Sequence, residues 1–548
     1  MGQWTRRTLL GSTIANIAGV RLGSLASGDM DTTVGLLIDS PQSLTRASID
    51  ALIAQNVYSV SGADPTGAVD STRALQAALD AISRTQGGAV RIPPGRYRHT
   101  GLTVMGKSGF TILGDGAELI CTATDKAYIN FTSCSDFTVL GLRSSGANFA
   151  TRRNLDRGFM LRLCKRFALN STIAHHTESV GYYISGCEDG ALIAPVVHNT
   201  LADGIHIVHG SRRLTVSGPV AHRTGDDAIV VWSVDNGVDP ICQDITVSGA
   251  VITQSFSRGL VVVGGERIIY SGFTINETKN AGVYIANEVT AAQSTHPVRD
   301  VRVSSGIINR PCTFNELTVH RATSPAKVNM GGVHVAFRND PAKTRDVSIE
   351  RVTVRDAPWR SVSLSGHTIT VEDCKIMNGG DDGIHSAGTV NLRITGNEVD
   401  NAWRWGIVNS SADTGWQIVS GNVVTGANRG AGAGMDAIDL NASTILSGGG
   451  LCESNIIVDT HGTLDQGLQA RTDKMLVSVN CLGSASLSLP ASRQVVRAGY
   501  DLRLHGKFGL EKPPVGVQSV SAAASDATTT RQLVNSLRAA MMNFGLVR

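Results

Sequence analysis

A short pattern recurs along most of this chain: a turn residue, a small residue, and then apolar residues at alternate positions. Its clearest copies begin with an aspartate, as in Asp203-Gly204-Ile205-His206-Ile207 and Asp227-Ala228-Ile229-Val230-Val231. Alternation with a period of two is typical of a strand that has one buried face. Each copy therefore predicts an acidic turn that leads into a short strand.

The small residue of the pattern returns at intervals close to 23 residues, as from Gly181 to Gly204, and longer intervals leave room for inserted loops. A fixed period of about 20 to 50 residues indicates a solenoid. Because the units are short strands joined by Gly, Asn, Asp and Ser turns, we predict an all-β fold: a single-stranded, right-handed parallel β-helix with one coil per period. Later copies are centred on Gly259, Gly282, Gly332, Gly383, Gly406 and Ala437.

Bulk properties fit such a solenoid and exclude several classes of protein. The chain has 548 residues, more than a usual single domain, but a solenoid adds core coil by coil. The net charge is only +3 and no Lys/Arg block is present, so we expect no nucleic-acid partner. No run of about 20 apolar residues predicts a membrane span. Whether the coils assemble into a homotrimer stays open.

The two ends of the chain differ from the repeats. Residues 1–26 contain Arg6-Arg7, a modest apolar run and small residues up to Ala26, which is typical of a twin-arginine export signal. We therefore expect a periplasmic or extracellular protein. Residues 498–548 predict a linker followed by an amphipathic C-terminal helix.

The nine cysteines are dispersed singly, without Cys-x-x-Cys spacing and without a histidine partner at zinc spacing. We interpret them as small buried hydrophobic residues, with room for one disulfide, and we expect no metal-thiolate site. The sequence indicates neither a metal nor another cofactor.

The segment 27–101 holds an ordered set of signals: the turn Ala63-Asp64-Pro65-Thr66-Gly67, a helix predicted over 72–83, a strand over 89–92, and Pro93-Pro94-Gly95. In this order they resemble the start of the pectate-lyase-like superfamily of right-handed β-helices. Asp70 or Ser71 caps that helix in this prediction. The resemblance implies a helical cover over the first coil, which a solenoid needs because its first coil has an exposed apolar face. The β-helix itself is predicted over 102–497.

Four stretches between Asn199 and Asn287 follow one another on successive predicted coils: Asn199-Thr200-Leu201-Ala202-Asp203, Gly225-Asp226-Asp227, Ser257-Arg258-Gly259 and Val283-Tyr284-Ile285-Ala286. They resemble the polygalacturonase family, glycoside hydrolase family 28, which shows Asn-Thr-Asp, then Gly-Asp-Asp one coil later, then Gly-His-Gly and Arg-Ile-Lys. The first stretch has two extra residues and the second matches the family. The other two lack the family's His, Arg and Lys.

The acidic half of this motif set has a chemical reading of its own. Inverting hydrolysis of a glycosidic bond uses one carboxylic acid and one carboxylate about 6.5 to 9.5 Å apart. Equivalent residues on adjacent coils are expected about 4.8 Å apart, so splayed side chains can reach that separation. By family resemblance, Asp226 is the general acid, and Asp203 and Asp227 hold the attacking water.

The missing half concerns substrate recognition. In the family, Arg-Ile-Lys contacts a galacturonate carboxylate, so its loss argues against plain polygalacturonate. We expect a different acidic polysaccharide, contacted by five candidate binding residues: Arg258, His206, His222, Arg223 and Tyr284.

Two alternatives to this hydrolase remain. A polysaccharide lyase would use a basic residue or a tyrosine to abstract a proton next to a uronate. A non-catalytic glycan-binding or exopolysaccharide-assembly protein would keep its aspartates for the turns alone. A second acidic turn, Gly380-Asp381-Asp382-Gly383, shows that turns alone account for such clusters; it is predicted about five coils beyond the first, roughly 24 Å away at the strand spacing.

Overall fold

The structure, a computed structural model, describes residues 57–82, 88–114, 116–289, 294–313, 330–411, 415–440, 449–470, 475–478, 480 and 487–488. The chain divides into two compact units, Met1–Gly225 (unit 1) and Asp226–Arg548 (unit 2). The predicted export signal at 1–26 and the predicted linker and helix at 498–548 lie outside the described residues.

In unit 1 the strands form three parallel ladders, and each coil contributes one strand to each ladder. Ladder 1 contains β4 Leu102–Met105, β7 Ile129–Thr132, β10 Phe159–Arg162, β13 Tyr182–Ser185 and β16 Ile205–Val208. Ladder 2 contains β1 Val57–Ser59, β2 Gly88–Arg91, β5 Phe110–Leu113, β8 Ser135–Leu140, β11 Lys165–Asn170, β14 Glu188–Ile193 and β17 Arg212–Ser217. Ladder 3 contains β3 Gly95–His99, β6 Ala117–Cys121, β9 Arg143–Gly146, β12 Ile173–Thr177, β15 Val196–Thr200 and β18 Val220–His222.

Unit 2 repeats the same three-ladder plan. Its ladder 1 contains β19 Ile229–Trp232, β22 Leu260–Val263, β25 Val283–Ala286, β28 Val333–Ala336, the first halves of β31 Val362–Glu372 and β33 Ile384–Thr395, β35 Ile407–Asn409, β38 Ile438–Leu440, β41 Leu468–Ala470 and β43 Leu487–Ser488. Its ladder 2 contains β20 Gln243–Ser248, β23 Gly265–Ser271, β26 Val298–Ser304, β29 Thr344–Glu350, the second halves of β31 and β33, β36 Trp416–Ser420, β39 Gly449–Glu453 and β42 Met475–Ser478. Its ladder 3 contains β21 Val251–Ser255, β24 Thr274–Thr278, β27 Ile307–Asn309, β30 Thr353–Arg355, β32 Lys375–Met377, β34 Glu398–Asp400, β37 Val423–Thr425 and β40 Ile456–Val458.

These ladders confirm the predicted right-handed parallel β-helix. Parallel pairing of each strand with its counterpart one coil later requires a crossover, and such crossovers are right-handed in almost all proteins. The period of 23 residues is visible in the register, where Phe159 pairs with Tyr182 and Tyr182 with Ile205. Strand pairing begins in β1–β3, before Leu102, so coils already form within the segment predicted as a cover.

Alternate residues of each strand fill the interior of the coils. In unit 1 the aromatic rings of Phe110, Phe137 and Phe167 stack on successive coils, with centroids 4.9 and 5.7 Å apart. In unit 2 a buried asparagine ladder joins Asn397, Asn422 and Asn455, whose side-chain amides bond to one another at 2.9 Å. Stacking of like residues follows directly from the coil repeat, which places equivalent side chains about 4.8 Å apart.

The helix α1 (Thr72–Ala81) covers the beginning of unit 1 and ends two residues earlier than predicted. Its N-terminus is stabilised by Asp70, whose Oδ1 accepts a hydrogen bond from the Thr72 amide at 2.9 Å. At its C-terminus the Lys107 ammonium donates to the carbonyl of Asp80 at 2.8 Å, which suits a helix end that carries partial negative charge. The side chains that α1 buries are Leu75, Ala78 and Leu79.

The described cysteines agree with their interpretation as buried small residues. Eight are described as free thiols, and all but the half-buried Cys312 are buried. Burial raises the pKa of the Cys374 thiol to about 12, so this thiol is a poor nucleophile near neutral pH. Among the described helices, none has the length and apolar character to span a membrane.

Candidate active site

The predicted aspartates lie in the turns that lead from ladder 3 into ladder 1. Asp203 precedes β16 in unit 1, whereas Asp226-Asp227 precede β19 and Asp381-Asp382 precede β33 in unit 2. The residues that open two of these turns adopt positive φ angles without being glycine, namely Arg223 at 53° and Asn378 at 55°. A left-handed residue bends the chain sharply, and a few residues later the acidic side chain lies at the start of a ladder 1 strand.

In unit 1, Asp203 is paired with His206, two positions into β16. The Nδ1 atom of His206 donates to Oδ2 of Asp203 at 2.6 Å, and both residues are buried. The ring of His206 stacks on Tyr183 of the preceding coil at 5.3 Å, and the Arg157 guanidinium lies 3.6 Å from the Tyr183 centroid. A carboxylate that accepts from Nδ1 fixes the imidazole tautomer and leaves Nε2 as an acceptor.

Of the other predicted binding residues, His222 lies on ladder 3 and Arg223 directly follows it. His222 ends β18 and pairs in register with His198 on β15, which pairs with His175 on β12. The His175 and His198 rings stack at 4.9 Å. Burial and the neighbouring histidines lower the pKa of His198 to about 4. Arg223 follows β18 in the left-handed conformation, with a φ of 53°. His222 thus continues a histidine row on ladder 3, while Asp203 and His206 lie at ladder 1.

In unit 2, Asp227 and Arg258 form a buried ion pair across adjacent coils. Oδ2 of Asp227 accepts from Nη2 of Arg258 at 2.7 Å, and Oδ1 accepts from Nε at 2.9 Å and from the Arg258 backbone amide at 3.0 Å. Nη1 of Arg258 donates to Glu288 at 3.1 Å, and the guanidinium lies 4.4 Å from the Tyr284 ring centroid. This fork fixes the orientation of the Asp227 carboxylate.

The ion pair bears on two predicted roles. Nε, Nη1 and Nη2 of Arg258 each donate one hydrogen bond to a carboxylate, and a contact of Arg258 with a substrate anion stays a prediction. Tyr284 is buried, and burial raises the pKa of its phenol well above the ordinary value. Asp226, next to Asp227 in the chain, is only half-buried, and its backbone carbonyl accepts from the Ser255 hydroxyl at 2.8 Å.

A chain of contacts leads from this pair towards the second acidic turn. The Tyr284 ring stacks on His334 at 5.7 Å. Burial, followed by the charges of Arg360 and Arg258, lowers the pKa of His334 to about 4. The Nε atom of Arg360 lies 3.3 Å from Oδ2 of Asp382. Ladder 1 advances five strands from β19 to β33, which confirms the predicted five coils between Asp227 and Asp382.

The second acidic turn is more elaborate than the sequence indicated. Arg360 and Arg404 approach Asp381 at 3.6 and 3.3 Å, and Nδ1 of His385 donates to Asp382 at 2.6 Å. Burial, and next the charge of Asp382, raises the pKa of Asp381. One sequence signal points to this arrangement: the four residues Asp-Gly-Ile-His occur both at 203–206 and at 382–385. The arginines come from neighbouring coils, so local sequence does not reveal them.

Comparisons with known proteins agree with this fold. Residues 54–284 match the family model described as Rhamnogalacturonase A/epimerase, pectate lyase-like. No curated protein sequence matches the chain.

Several solved structures are similar at low sequence identity. The Agl-KA catalytic domain is 16% identical over 78% of this chain and 68% of its own, with a TM-score of 0.50. A GH87 alpha-1,3-glucanase catalytic unit from Streptomyces thermodiastaticus strain HF3-3 is 19% identical over 80% and 71%, with a TM-score of 0.46. A family 28 exopolygalacturonase from Yersinia enterocolitica is 14% identical over 62% and 74%, also with a TM-score of 0.46. The family match covers residues 54–284, and together with the ladders it supports the predicted resemblance to the pectate-lyase-like superfamily of right-handed β-helices.

Proposed function

We propose that this protein is an exported glycoside hydrolase that cleaves an acidic polysaccharide by inverting acid/base catalysis. Residues 54–284 match a family whose description names rhamnogalacturonase A, and this match supports a polysaccharide as the substrate. In this proposal Asp226 is the general acid, and Asp227 and Asp203 hold the attacking water. Export rests on the Arg6-Arg7 segment alone.

The observation that carries the proposal is the fork between Arg258 and Asp227. A general base has to be ionised and correctly oriented when water attacks. Arg258 supplies a permanent positive charge and three hydrogen bonds to the buried Asp227 carboxylate. The adjacent Asp226 is half-buried and is therefore better placed to meet a leaving oxygen. Asp226 and Asp227 are neighbours with different surroundings, and such a difference allows one carboxyl group to act as the acid and the other as the base.

The same surroundings disfavour Tyr284 as the base of a lyase. A lyase needs a base that is deprotonated near neutral pH. Tyr284 stands beside Arg258, but its burial raises the pKa of the phenol, which makes the phenolate scarce at neutral pH. In this proposal His206, His222 and Arg223 contact the acidic sugar.

The experiment is to incubate the purified protein with a panel of acidic and neutral polysaccharides while following reducing ends and ultraviolet absorbance together. Reducing ends without absorbance are the expected result. Absorbance that rises with the reducing ends would mean an unsaturated uronate and a lyase. Binding without either signal would leave the glycan-binding or exopolysaccharide-assembly role.

A further inference from the structure

Unit 2 contains a hydrogen-bonded chain of three side chains that the proposed hydrolysis does not use. Oδ2 of Asp382 accepts from Nδ1 of His385 at 2.6 Å. On the other side of the imidazole, Nε2 of His385 lies 3.4 Å from Oγ of Ser410. His385 is the second residue of β33, and Ser410 directly follows β35, the next strand of ladder 1. Three residues from two coils are thus aligned in the order carboxylate, imidazole, hydroxyl.

Each member has the surroundings that its place in such a chain requires. Asp382 is fully buried and His385 is 7% exposed, whereas Ser410 is exposed. In the neutral imidazole that donates from Nδ1 to the carboxylate, Nε2 carries the lone pair. This lone pair faces the Ser410 hydroxyl. The Ser410 hydroxyl has one other acceptor, the carbonyl of Ser386, at the same 3.4 Å. In a free enzyme, nucleophile and base are often separated by more than an ideal hydrogen bond and approach when substrate binds.

We propose that Ser410, His385 and Asp382 form a serine-dependent acyl-transfer site that hydrolyses small acyl esters carried by a saccharide. Ser410 Oγ attacks the ester carbonyl carbon while its proton passes to Nε2 of His385. The tetrahedral intermediate expels the sugar alcohol, which takes that proton, and the acyl group stays on Ser410. Water then attacks the acyl-enzyme, gives its proton to His385, and releases the carboxylic acid as the proton returns to Ser410. Asp382 acts through His385 and is a positioning residue.

Two tryptophans that carry the arginines of the acidic turn favour a sugar as the ester's alcohol part, since Arg360 contacts Asp382 and Arg404 contacts Asp381. Four of the chain's six tryptophans lie between Trp359 and Trp416. Trp359 and Trp405 are half-buried, and each ring carries an arginine guanidinium at 4.2 or 4.1 Å from its centroid. Aromatic faces next to a few directed polar groups are typical of small-molecule sites, and they suit the apolar faces of sugar rings.

The test is covalent labelling of the full chain with a fluorophosphonate, together with hydrolysis of p-nitrophenyl acetate. We expect labelling that peptide mapping assigns to Ser410. Ser410→Ala should abolish labelling and lower ester turnover at least about 100-fold, and His385→Gln should lower both similarly. Asp382→Asn should lower kcat by a similar factor with little change in KM, because it acts only on the imidazole. Ser365→Ala is the matched control, since its hydroxyl donates to a backbone carbonyl on the coil before, and it should label normally.

Two outcomes would overturn the proposal: labelling at a serine other than Ser410, or ester turnover that Ser410→Ala leaves unchanged. Ser410 is exposed, so its alanine variant is expected to keep the fold, which the unfolding midpoint checks. The site is independent of polysaccharide cleavage. Asp226→Asn should label at Ser410 as the unmodified protein does, and Ser410→Ala should release reducing ends at the unmodified rate.

Discussion

The Nδ1 atom of His385 lies 2.6 Å from Oδ2 of Asp382, three residues earlier in the chain. Asp203 and His206 have the same spacing and the same 2.6 Å distance. In both cases the aspartate ends a turn and the histidine occupies the second position of a ladder 1 strand. The repeated Asp-Gly-Ile-His sequence therefore encodes a local Asp–His pair, and the chemistry of that pair depends on what the next coil brings near Nε2 of the imidazole.

Replacement of Asp226 by Asn should remove polysaccharide cleavage while binding is retained. The amide cannot protonate a leaving oxygen, so we expect reducing-end release to fall at least about 100-fold. Reducing-end assays and binding measurements on one preparation check this result. Asp300→Asn serves as the control, because Asp300 is an exposed strand residue of unit 2 with a left-handed backbone that asparagine tolerates. Equal rates for Asp226→Asn and the unmodified protein would remove Asp226 from the mechanism.

Replacement of Arg258 by Met should destabilise unit 2 strongly. Asp227 is 3% exposed and would lose its positive partner, and breaking a buried ion pair from one side costs about 3 to 5 kcal/mol. Urea unfolding followed by circular dichroism measures the loss. The matched control is Arg267→Met, whose ion pair with Asp244 is largely exposed and should contribute less than about 1 kcal/mol. If both variants lost a similar free energy of unfolding, the ion pair between Asp227 and Arg258 would be as exposed to solvent as the pair between Asp244 and Arg267.

Substitution in the asparagine ladder should lower the free energy of unfolding strongly. Asn422 is fully buried, accepts from Asn397, and donates to Asn455 and to the Ile394 carbonyl. Asn422→Ala leaves several of these groups without partners, at about 1 to 3 kcal/mol each, so we expect a loss of about 3 kcal/mol or more.

A half-buried asparagine pair provides the comparison for that ladder. Asn276 accepts one hydrogen bond from Asn309 at 2.8 Å, and water can replace it. Asn276→Ala should therefore lower the free energy of unfolding by less than about 1 kcal/mol. Urea unfolding of both variants decides the matter, and an Asn422→Ala loss no larger than that of Asn276→Ala would contradict the ladder's role.

His334 should make unit 2 less stable in acid. Its pKa is lowered from 6.5 to about 4 by burial and by the charges of Arg360 and Arg258. The unfolded chain therefore binds a proton more readily than the folded one, so the stability is present above pH 6.5 and is lost as pH falls towards 4. His334→Gln should reduce that loss. Between pH 7.5 and pH 4, in buffers of equal ionic strength, the unfolding midpoint of the unmodified protein should fall relative to that of His334→Gln; parallel curves would exclude His334 as the cause.

The sequence by itself determined the repeating architecture. Apolar alternation of period two, the return of Gly181 at Gly204, and turn residues between them leave a parallel β-helix as the economical solution, because each coil must bury its face against the next. The same spacing predicted the five coils between the two acidic turns, and the capping residues Asp70 and Ser71 marked the helix that begins at Thr72. The helix ends two residues before its predicted end, and at that end it meets Lys107, 27 residues beyond Asp80, a contact that local sequence does not reveal.

The tertiary structure decided which side chains meet across coils. Arg258 reaches Asp227 across 31 residues and Ser410 reaches His385 across 25, and neither separation equals the period of 23. Loops of different length separate the strands, so counting along the sequence does not identify a coil neighbour. Register does, because parallel pairing fixes which residues share one row on a ladder. For this reason the aspartates were visible in the sequence, whereas the partner of Asp227 and the alignment of Ser410 with His385 emerged only from the folded chain.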